Sequence, residues 1–187
     1  MATADEAVIE HTLAWVREFI VEYDICPFAQ RELDADRVRV QVVRSKKFEV
    51  TLEELAAELE WLTEHEEVET TLIVLPTLFR SFDHYLDFLE LAENLIDMLG
   101  FEGIFQLASF HPDYCFADAD PEDAANYTNR SPYAMVHVLR EASVEKAIAF
   151  YGDTAAIPAR NIEKLEAMGA EQAQARLEAC LRYSFRP

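Results

Sequence analysis

The chain has 187 residues, of which 51% are hydrophobic and only four are glycine, and its formal net charge is −20. This length favours a single domain with a core of its own, and the composition is typical of a compact, helix-rich globular protein. The charge repels nucleic-acid phosphates and anionic lipids, so we expect neither nucleic acid nor a membrane surface as a partner.

Acidic residues are concentrated in the middle of the chain. Between Lys47 and Arg130 there are 20 Asp and Glu residues but a single basic residue, Arg80. The pattern is typical of a solubilising surface, and it also fits an acidic face that binds a partner. Oligomeric state does not follow from it.

The sequence predicts a cytoplasmic location. No apolar run approaches the roughly 18 residues that a membrane span requires. The first residues, MATADEAVIEH, lack the basic region of a signal peptide. Cys26, Cys115 and Cys180 lie far apart and form no CxxC pair, which is typical of a reducing compartment and not of a disulfide framework.

Hydrophobic periodicity predicts helices alternating with strands. Thr3 and Glu6 have the spacing of a capping box, as do Thr51 and Glu54. Pro27 would open a short helix with Cys26 as its N-cap. The elements predicted over the first 110 residues are a helix over 3–23, a short helix from 26, a strand over 37–43, a helix from 51, a strand over 70–75, a helix over 81–100 and a strand over 104–110.

Residues 134–139 fit two structures. Ser131 and Pro132 could open a helix that continues to Tyr151, or the run AMVHVL is a buried strand followed by a helix capped by Ser143. We favour the strand because valine is common in strands. A final helix from Pro158 to about Tyr183 would break near 169, forming a C-terminal extension over about 158–186.

The order of these elements predicts an α/β fold for the whole chain, 1–187. We expect a mixed, mostly parallel sheet of about four strands flanked by helices. In such sheets, ligands bind beyond the carboxyl ends of the strands. Three polar segments follow predicted strands and should meet there, namely 44–47, 77–81 and 111–113.

The segment from 103 to 141 contains the candidate catalytic residues. His111 and Asp113 flank Pro112, so Asp113 could orient His111 as a general acid–base, or it could only cap the turn. Cys26 is a second candidate, since a helix N-terminus favours the thiolate, although it could equally be a small buried residue. His111 and His137 could also bind a metal ion, with Glu141 as a further ligand, but no standard metal spacing such as HExxH is present, and His137 could instead be a core histidine.

The candidate substrate-binding residues lie in the same segment. Arg130 and Arg140 could hold the carboxylate or phosphate of an anionic ligand, or could form internal ion pairs. Asn129 and Ser131 flank Arg130, and Gln106 is a polar residue on an otherwise buried strand, where it needs a partner. The sequence contains no GxGxxG, GxxxxGK[ST] or GxSxG motif, which excludes the usual dinucleotide, P-loop and α/β-hydrolase sites and leaves the cofactor unknown.

Several phrases together resemble one bacterial family. They are CPFA, TTLIVLP, FQLASFHPDY and NRSPYAMVHVLREAS, and they span about 15–162. The chain thus resembles a family catalogued as a domain of unknown function (DUF 1415). Members often carry proline at the position of Ala134 and leucines at those of Val136 and Val138. The resemblance implies no activity, cofactor or substrate.

Two hypotheses follow from these residues. The first is a small enzyme acting on a small anionic metabolite, with His111, Asp113, Arg130 and Arg140 in one site and Cys26 at its edge. The second is a non-catalytic binding or adaptor domain that uses an acidic helical face. The first requires these side chains to surround one cavity, whereas the second allows them to be dispersed or satisfied by one another.

Overall fold

The computed structural model describes residues 3–182 and contains one four-stranded sheet. The strands lie in the order β1-β2-β4-β3. β1 pairs with β2 in parallel, and β4 is antiparallel to both of its neighbours. The strand bounds are β1 Val38–Val42, β2 Thr70–Val74, β3 Phe105–Phe110 and β4 Met135–Arg140.

The α/β class and the four strands are confirmed, but the prediction of a mostly parallel sheet was wrong. β1, β2 and β3 do run in the same direction, as their helical crossovers require. β3 does not pair with β2. The position between these two strands, one strand wide, is still empty when the chain has formed β3. β4 returns through the long loop and fills that gap in the opposite direction, so that two of the three pairings are antiparallel.

Helices cover both faces of the sheet. α1 continues directly into a π-helix, and a 3-10 helix lies in the loop between β3 and β4. The bounds are α1 Ala4–Trp15, π-helix Val16–Val21, α2 Ala29–Asp34, α3 Phe48–Glu64, α4 Phe82–Met98, 3-10 helix Ala124–Thr128, α5 Glu141–Tyr151, 3-10 helix Thr154–Ala156, α6 Ile157–Met168 and α7 Ala170–Cys180. None of the helices within 3–182 is long and apolar enough to cross a membrane.

The alternation of side chains along the strands divides the core in two. Val136 and Val138 of β4 face α3 and α4, where they pack with Leu59 and Tyr85. Met135 faces the opposite side, which α1, the π-helix, α6 and α7 cover. Because successive residues of a strand point to opposite faces, His137 shares the face of Met135.

One of the two predicted capping boxes differs from the structure. The capping box of Thr3 and Glu6 is confirmed. The second box was wrong, because α3 begins three residues before Thr51, whose hydroxyl donates to the Lys47 carbonyl oxygen at 3.0 Å. Phe48 packs against the rings of Phe79 and Phe88, and this tertiary contact extends the helix toward its N-terminus.

The second half of the chain follows the predicted elements closely. The strand that we favoured for 134–139 is confirmed as β4, Met135–Arg140, but the next helix begins at Glu141, so Ser143 lies inside α5 and does not cap it. The final helix does break at Gly169, whose φ of 82° suits glycine. The predicted end near Tyr183, and the extension to 186, lie outside the described residues.

Candidate ligand-binding cavity

A cavity of about 410 Å³ lies between one face of the sheet and the helices that cover it. Its roof and walls come from the end of α1, the π-helix, the turn before α2, and the helices α2 and α5. The strands β3 and β4 supply much of its floor. Most of the lining side chains are apolar, among them Trp15, Val16, Ile20, Phe28, Leu72 and Phe110.

His137 lies on the cavity floor and is held in a defined tautomer. The Thr70 hydroxyl is 2.5 Å from the Val138 carbonyl oxygen and donates its only proton to it. The same Thr70 oxygen therefore accepts from Nε2–H of His137 at 2.6 Å. Desolvation lowers the pKa of His137 to about 4, so the ring is neutral at pH 7. Its Nδ1 has no hydrogen-bond donor among residues 3–182 and can accept a hydrogen bond.

Other polar groups beside the cavity are also uncommitted. Gln106 makes no side-chain hydrogen bond within residues 3–182, although it lies on β3, which pairs with the strand of His137. Asn129 donates from Nδ2 to the Ser109 carbonyl oxygen at 3.0 Å, which leaves its Oδ1 available. Trp15 is 1% exposed, and its Nε1–H has no partner in the described part of the chain. These groups could serve a bound molecule.

Cys26 lines the same cavity, but the prediction that it caps α2 was wrong. The helix begins at Ala29 with Phe28 as its N-cap, because the residues from Cys26 to Phe28 form a turn. Burial raises the pKa of the Cys26 thiol, and the main-chain hydrogen bonds from Phe28 and Ala29 only partly oppose that effect. The group is therefore a thiol at neutral pH, and not an activated thiolate.

His111 lies on the opposite side of the sheet from the cavity. Its ring packs against Phe82 and Tyr85, which belong to the α3–α4 side. Nδ1 accepts from the main-chain N–H of Asp113 at 3.0 Å, so Nε2 carries the proton and donates to the Phe79 carbonyl oxygen at 3.2 Å. Desolvation lowers the pKa of His111, and both of its nitrogen atoms are occupied. The contact with Asp113 is thus a turn hydrogen bond made by the backbone, while the carboxylate makes no such bond.

The structure does not bring the predicted metal ligands together. His111 and His137 lie on different faces of the sheet, with His137 beside Phe110 and His111 beside Tyr85. Among the residues that the structure describes, no three His, Cys, Asp or Glu side chains form a cluster able to hold a metal ion.

The two candidate arginines are bound by main-chain carbonyl groups. Arg130 donates to the carbonyl oxygens of Tyr114 and Pro121 at 3.0 and 2.7 Å, and its guanidinium lies over the Tyr127 ring. It thereby holds together the two ends of the long loop. Ser131 is buried, and its hydroxyl donates to the Tyr133 carbonyl oxygen at 2.6 Å.

Arg140 acts in the same way on α3. It donates to the carbonyl oxygens of Leu62, His65 and Val68, and its guanidinium lies over the Phe105 ring. These groups lie on the α3 side of the sheet, so the guanidinium points away from the cavity even though Arg140 borders it. Within residues 3–182 this guanidinium forms no ion pair, which was one of the two predicted roles.

The three polar segments that follow the strands do meet at one edge of the sheet. The Thr77 hydroxyl donates to the Ser45 carbonyl oxygen at 3.1 Å, and His111 reaches Phe79 in the same loop. The cavity extends toward the other edge, since Val38 and Thr70, the first residues of β1 and β2, border it. The rule that ligands bind beyond the carboxyl ends of parallel strands therefore predicted where these loops meet, but it did not predict the position of the cavity.

Sequence reasoning found five residues that border the cavity and missed others. Gln106, His137, Cys26, Asn129 and Arg140 were candidates, although the Arg140 guanidinium points away from the cavity. Trp15 was missed, since an indole in a helical stripe has the pattern of ordinary core. Nothing in the sequence indicates that its N–H is left without a partner.

The chain belongs to the family described as Protein of unknown function (DUF1415), whose model matches residues 7–175. This confirms the family that the four sequence phrases predicted and extends the match at both ends. Neither the curated proteins nor the solved structures include a match to the chain.

Proposed function

We propose that the protein binds a small, largely apolar organic molecule in the cavity between the sheet and the π-helix. The observation that supports this proposal is the presence of uncommitted hydrogen-bonding groups, above all Gln106 and Nδ1 of His137, on the floor of an apolar cavity. Small-molecule sites have volumes of roughly 300–1,000 Å³ and combine apolar walls with a few polar groups. The cavity of about 410 Å³ falls in that range.

The unsatisfied groups give the bound state an energetic advantage. A buried donor or acceptor that lacks a partner costs about 1–3 kcal/mol. Trp15 Nε1–H is such a donor buried within the cavity wall, and no residue within 3–182 accepts from it. A ligand that shifts the wall enough to offer it an acceptor would recover part of that cost, and a ligand that fills the space beside Ile20 and Phe110 would bury further apolar surface.

The proposal is binding, and no catalytic step is assigned. His111 and Asp113 lie outside the cavity, and the guanidinium groups of Arg130 and Arg140 are held by carbonyl oxygens. Within the cavity, His137 has too low a pKa to act as a base near pH 7, and Cys26 is a thiol. An enzyme acting on an anionic metabolite remains a prediction from the sequence, whereas the geometry supports a binding site for a more apolar molecule.

The test uses 2-phenylethanol, a neutral probe with an aromatic body and one hydroxyl group. The chain has two tryptophans, so proton–nitrogen NMR spectra contain two indole signals, which Trp61→Phe assigns. Trp61 stacks on His65 and Arg39 on the other side of the sheet. We expect saturable shifts of the Trp15 signal with the Trp61 signal unchanged.

A cavity-filling variant makes the test specific. Ala108 lies on the floor next to His137 on the paired strand, so Ala108→Leu should remove the shift of the Trp15 signal. Ala159→Leu adds the same atoms at an exposed position on α6 and should bind the probe as the unmodified protein does. Equal shifts of both indole signals, or full binding by Ala108→Leu, would refute the proposal.

A further inference from the structure

Two carboxylates border the cavity and share one arginine. Glu32 of α2 and Glu69, just before β2, are both among the lining residues. Arg37 contacts both of them, with Nη1 at 3.3 Å from Glu32 Oε2 and Nη2 bonded to Glu69 Oε2. Glu32 is also 3.7 Å from Nε of the mostly exposed Arg31, so the two carboxylates have two guanidinium partners, neither of which lines the cavity.

One oxygen of each carboxylate has no hydrogen-bond donor. Glu69 Oε1 is buried and unpartnered among residues 3–182, because Arg37 occupies only Oε2. Glu32 Oε2 is buried as well, and its contact with Arg37 lacks the geometry of a hydrogen bond. Burying a carboxylate oxygen away from water without a hydrogen-bond donor costs free energy. A ligand that donates to the carboxylate would offset part of that cost.

Among the described residues, the rest of the cavity also lacks a positive group. Nδ1 of His137 is an acceptor, and the guanidinium of Arg140 lies on the far side of the sheet. The chain as a whole carries a net charge of −20. A field of this sign attracts cations and repels anions.

Resting on the proposed function, we propose that the ligand is an amine with an apolar body, whose protonated nitrogen is directed to Glu69. The apolar part would lie against Trp15 and Phe110, and the ammonium would donate to the carboxylate of Glu69, which borders the cavity. This charge is the opposite of that predicted from the arginines, so the two ideas can be separated directly.

The experiment compares three probes of similar shape, namely phenethylamine, 2-phenylethanol and 3-phenylpropionate. The shift of the Trp15 indole signal measures each dissociation constant near neutral pH. We expect phenethylamine to bind about tenfold more tightly than 2-phenylethanol, since a hydrogen bond to a charged group contributes about 1.5 kcal/mol or more and about 1.4 kcal/mol is tenfold. The anionic probe should bind most weakly.

Variants then locate the effect. Glu69→Gln should lose about tenfold in phenethylamine affinity while 2-phenylethanol binds as before. Glu67→Gln, an exposed site two residues away, makes the same charge change and should alter neither probe. Glu32→Gln provides a second test at the other carboxylate, should the loss of the Arg37 contact at Glu69 prevent folding.

Each outcome has a distinct meaning. Equal binding of all three probes, or equal effects of Glu67→Gln and Glu69→Gln, would overturn the amine inference and leave the cavity as a binding site. Tightest binding of 3-phenylpropionate would overturn it in favour of the anionic ligand predicted from the sequence. Absence of any shift at Trp15 with all three probes would refute the proposed function itself.

Discussion

At the scale of single residues, the histidines show how burial determines what an imidazole can do. His137 donates from Nε2–H to Thr70 and presents Nδ1 as an acceptor. His111 uses both nitrogen atoms within its own turn and the neighbouring loop. Both pKa values are lowered by desolvation, so each ring is a neutral hydrogen-bonding group near pH 7.

Burial of His137 should make folding stability depend on pH. Its pKa is about 4 in the folded protein and about 6.5 in an unfolded chain. Between those values the unfolded state binds more protons, so the free energy of unfolding falls as pH drops from about 6.5 and stops falling near 4. This residue should cost about 2 kcal/mol of stability between about pH 7.5 and about pH 5.

Urea unfolding of wild type and His137→Gln at both pH values measures this contribution. Glutamine keeps a donor near Thr70 but does not titrate, so the variant should lose less stability at the lower pH. His84→Gln removes an exposed histidine and should retain the wild-type dependence. If His137→Gln lost as much unfolding free energy between the two pH values as wild type does, the pKa of His137 would not be lowered by burial.

The isolated arginines in the acidic segment have a structural role. The sequence shows that Arg130 and Arg140 are rare, and rarity suggested an anionic substrate. The structure shows that both satisfy main-chain carbonyl oxygens, which no sequence pattern reveals because their partners are 9 to 78 residues away. A planar guanidinium with five donors is well suited to this structural role too.

At the scale of elements, the π-helix is the least predictable feature and the one closest to the cavity. The sequence predicts a continuous helical stripe through Ile9, Leu13, Val16 and Ile20. The structure buries Trp15 and Phe19 together with Val16 and Ile20, because the i to i+5 turns are wider than α-helical turns. Such turns are often found at functional sites, and here Val16 and Ile20 form part of the cavity wall.

Deleting Arg17, an exposed residue of the π-helix, should let that segment return to α-helical hydrogen bonding. The flanking helix can then keep its contacts, so we expect a folded protein. The cavity wall moves, however, and 2-phenylethanol affinity should fall at least about tenfold, because losing contact with one buried isoleucine already costs about 1.5 kcal/mol or more. Thermal unfolding and the Trp15 NMR signal measure the two effects.

The matched control deletes Glu90, an exposed residue of the regular helix α4. This deletion rotates one half of the helix by about 100° relative to the other and removes Ala92 and Ile96 from the core. It should therefore be strongly destabilising. If both deletions destabilise the protein to the same extent, the π-helix is not an α-helix with one extra residue that can be removed.

At the scale of the whole molecule, the directions of three strands and nearly all the helices were predictable, but the sheet order was not. Hydrophobic periodicity is local, whereas the placement of β4 between β2 and β3 depends on contacts between strands that lie far apart in the chain. The cavity was unpredictable for the same reason. It exists only where the strand face of Gln106 and His137 meets α5 and the π-helix, elements that are also distant in sequence.

The charge distribution also belongs to this scale, because the two sides of the sheet differ. α3 and α4 cover one side, and neither contains Lys or Arg, whereas together they carry eleven Asp and Glu. Most of these carboxylates face water, and several repeat at a spacing of four residues, as Glu60 and Glu64 do. Like charges at that spacing destabilise a helix, and a large net charge opposes the compact state.

Salt should therefore stabilise this protein. Raising the ionic strength from about 0.01 M to about 0.5 M shortens the screening length from roughly 30 Å to a few ångströms, so the melting temperature should rise. A variant with Gln in place of Glu49, Glu53, Glu60 and Glu64 should melt higher than wild type at low salt and gain less from added salt. A variant with Glu at four exposed positions on the less charged side should melt lower than wild type at low salt and gain more from added salt. The positions are Ala155, Ala159, Gln172 and Ala175. If the melting temperature were the same at both ionic strengths, repulsion between surface carboxylates would not limit stability, and the acidic face would require an explanation other than a cost accepted for solubility.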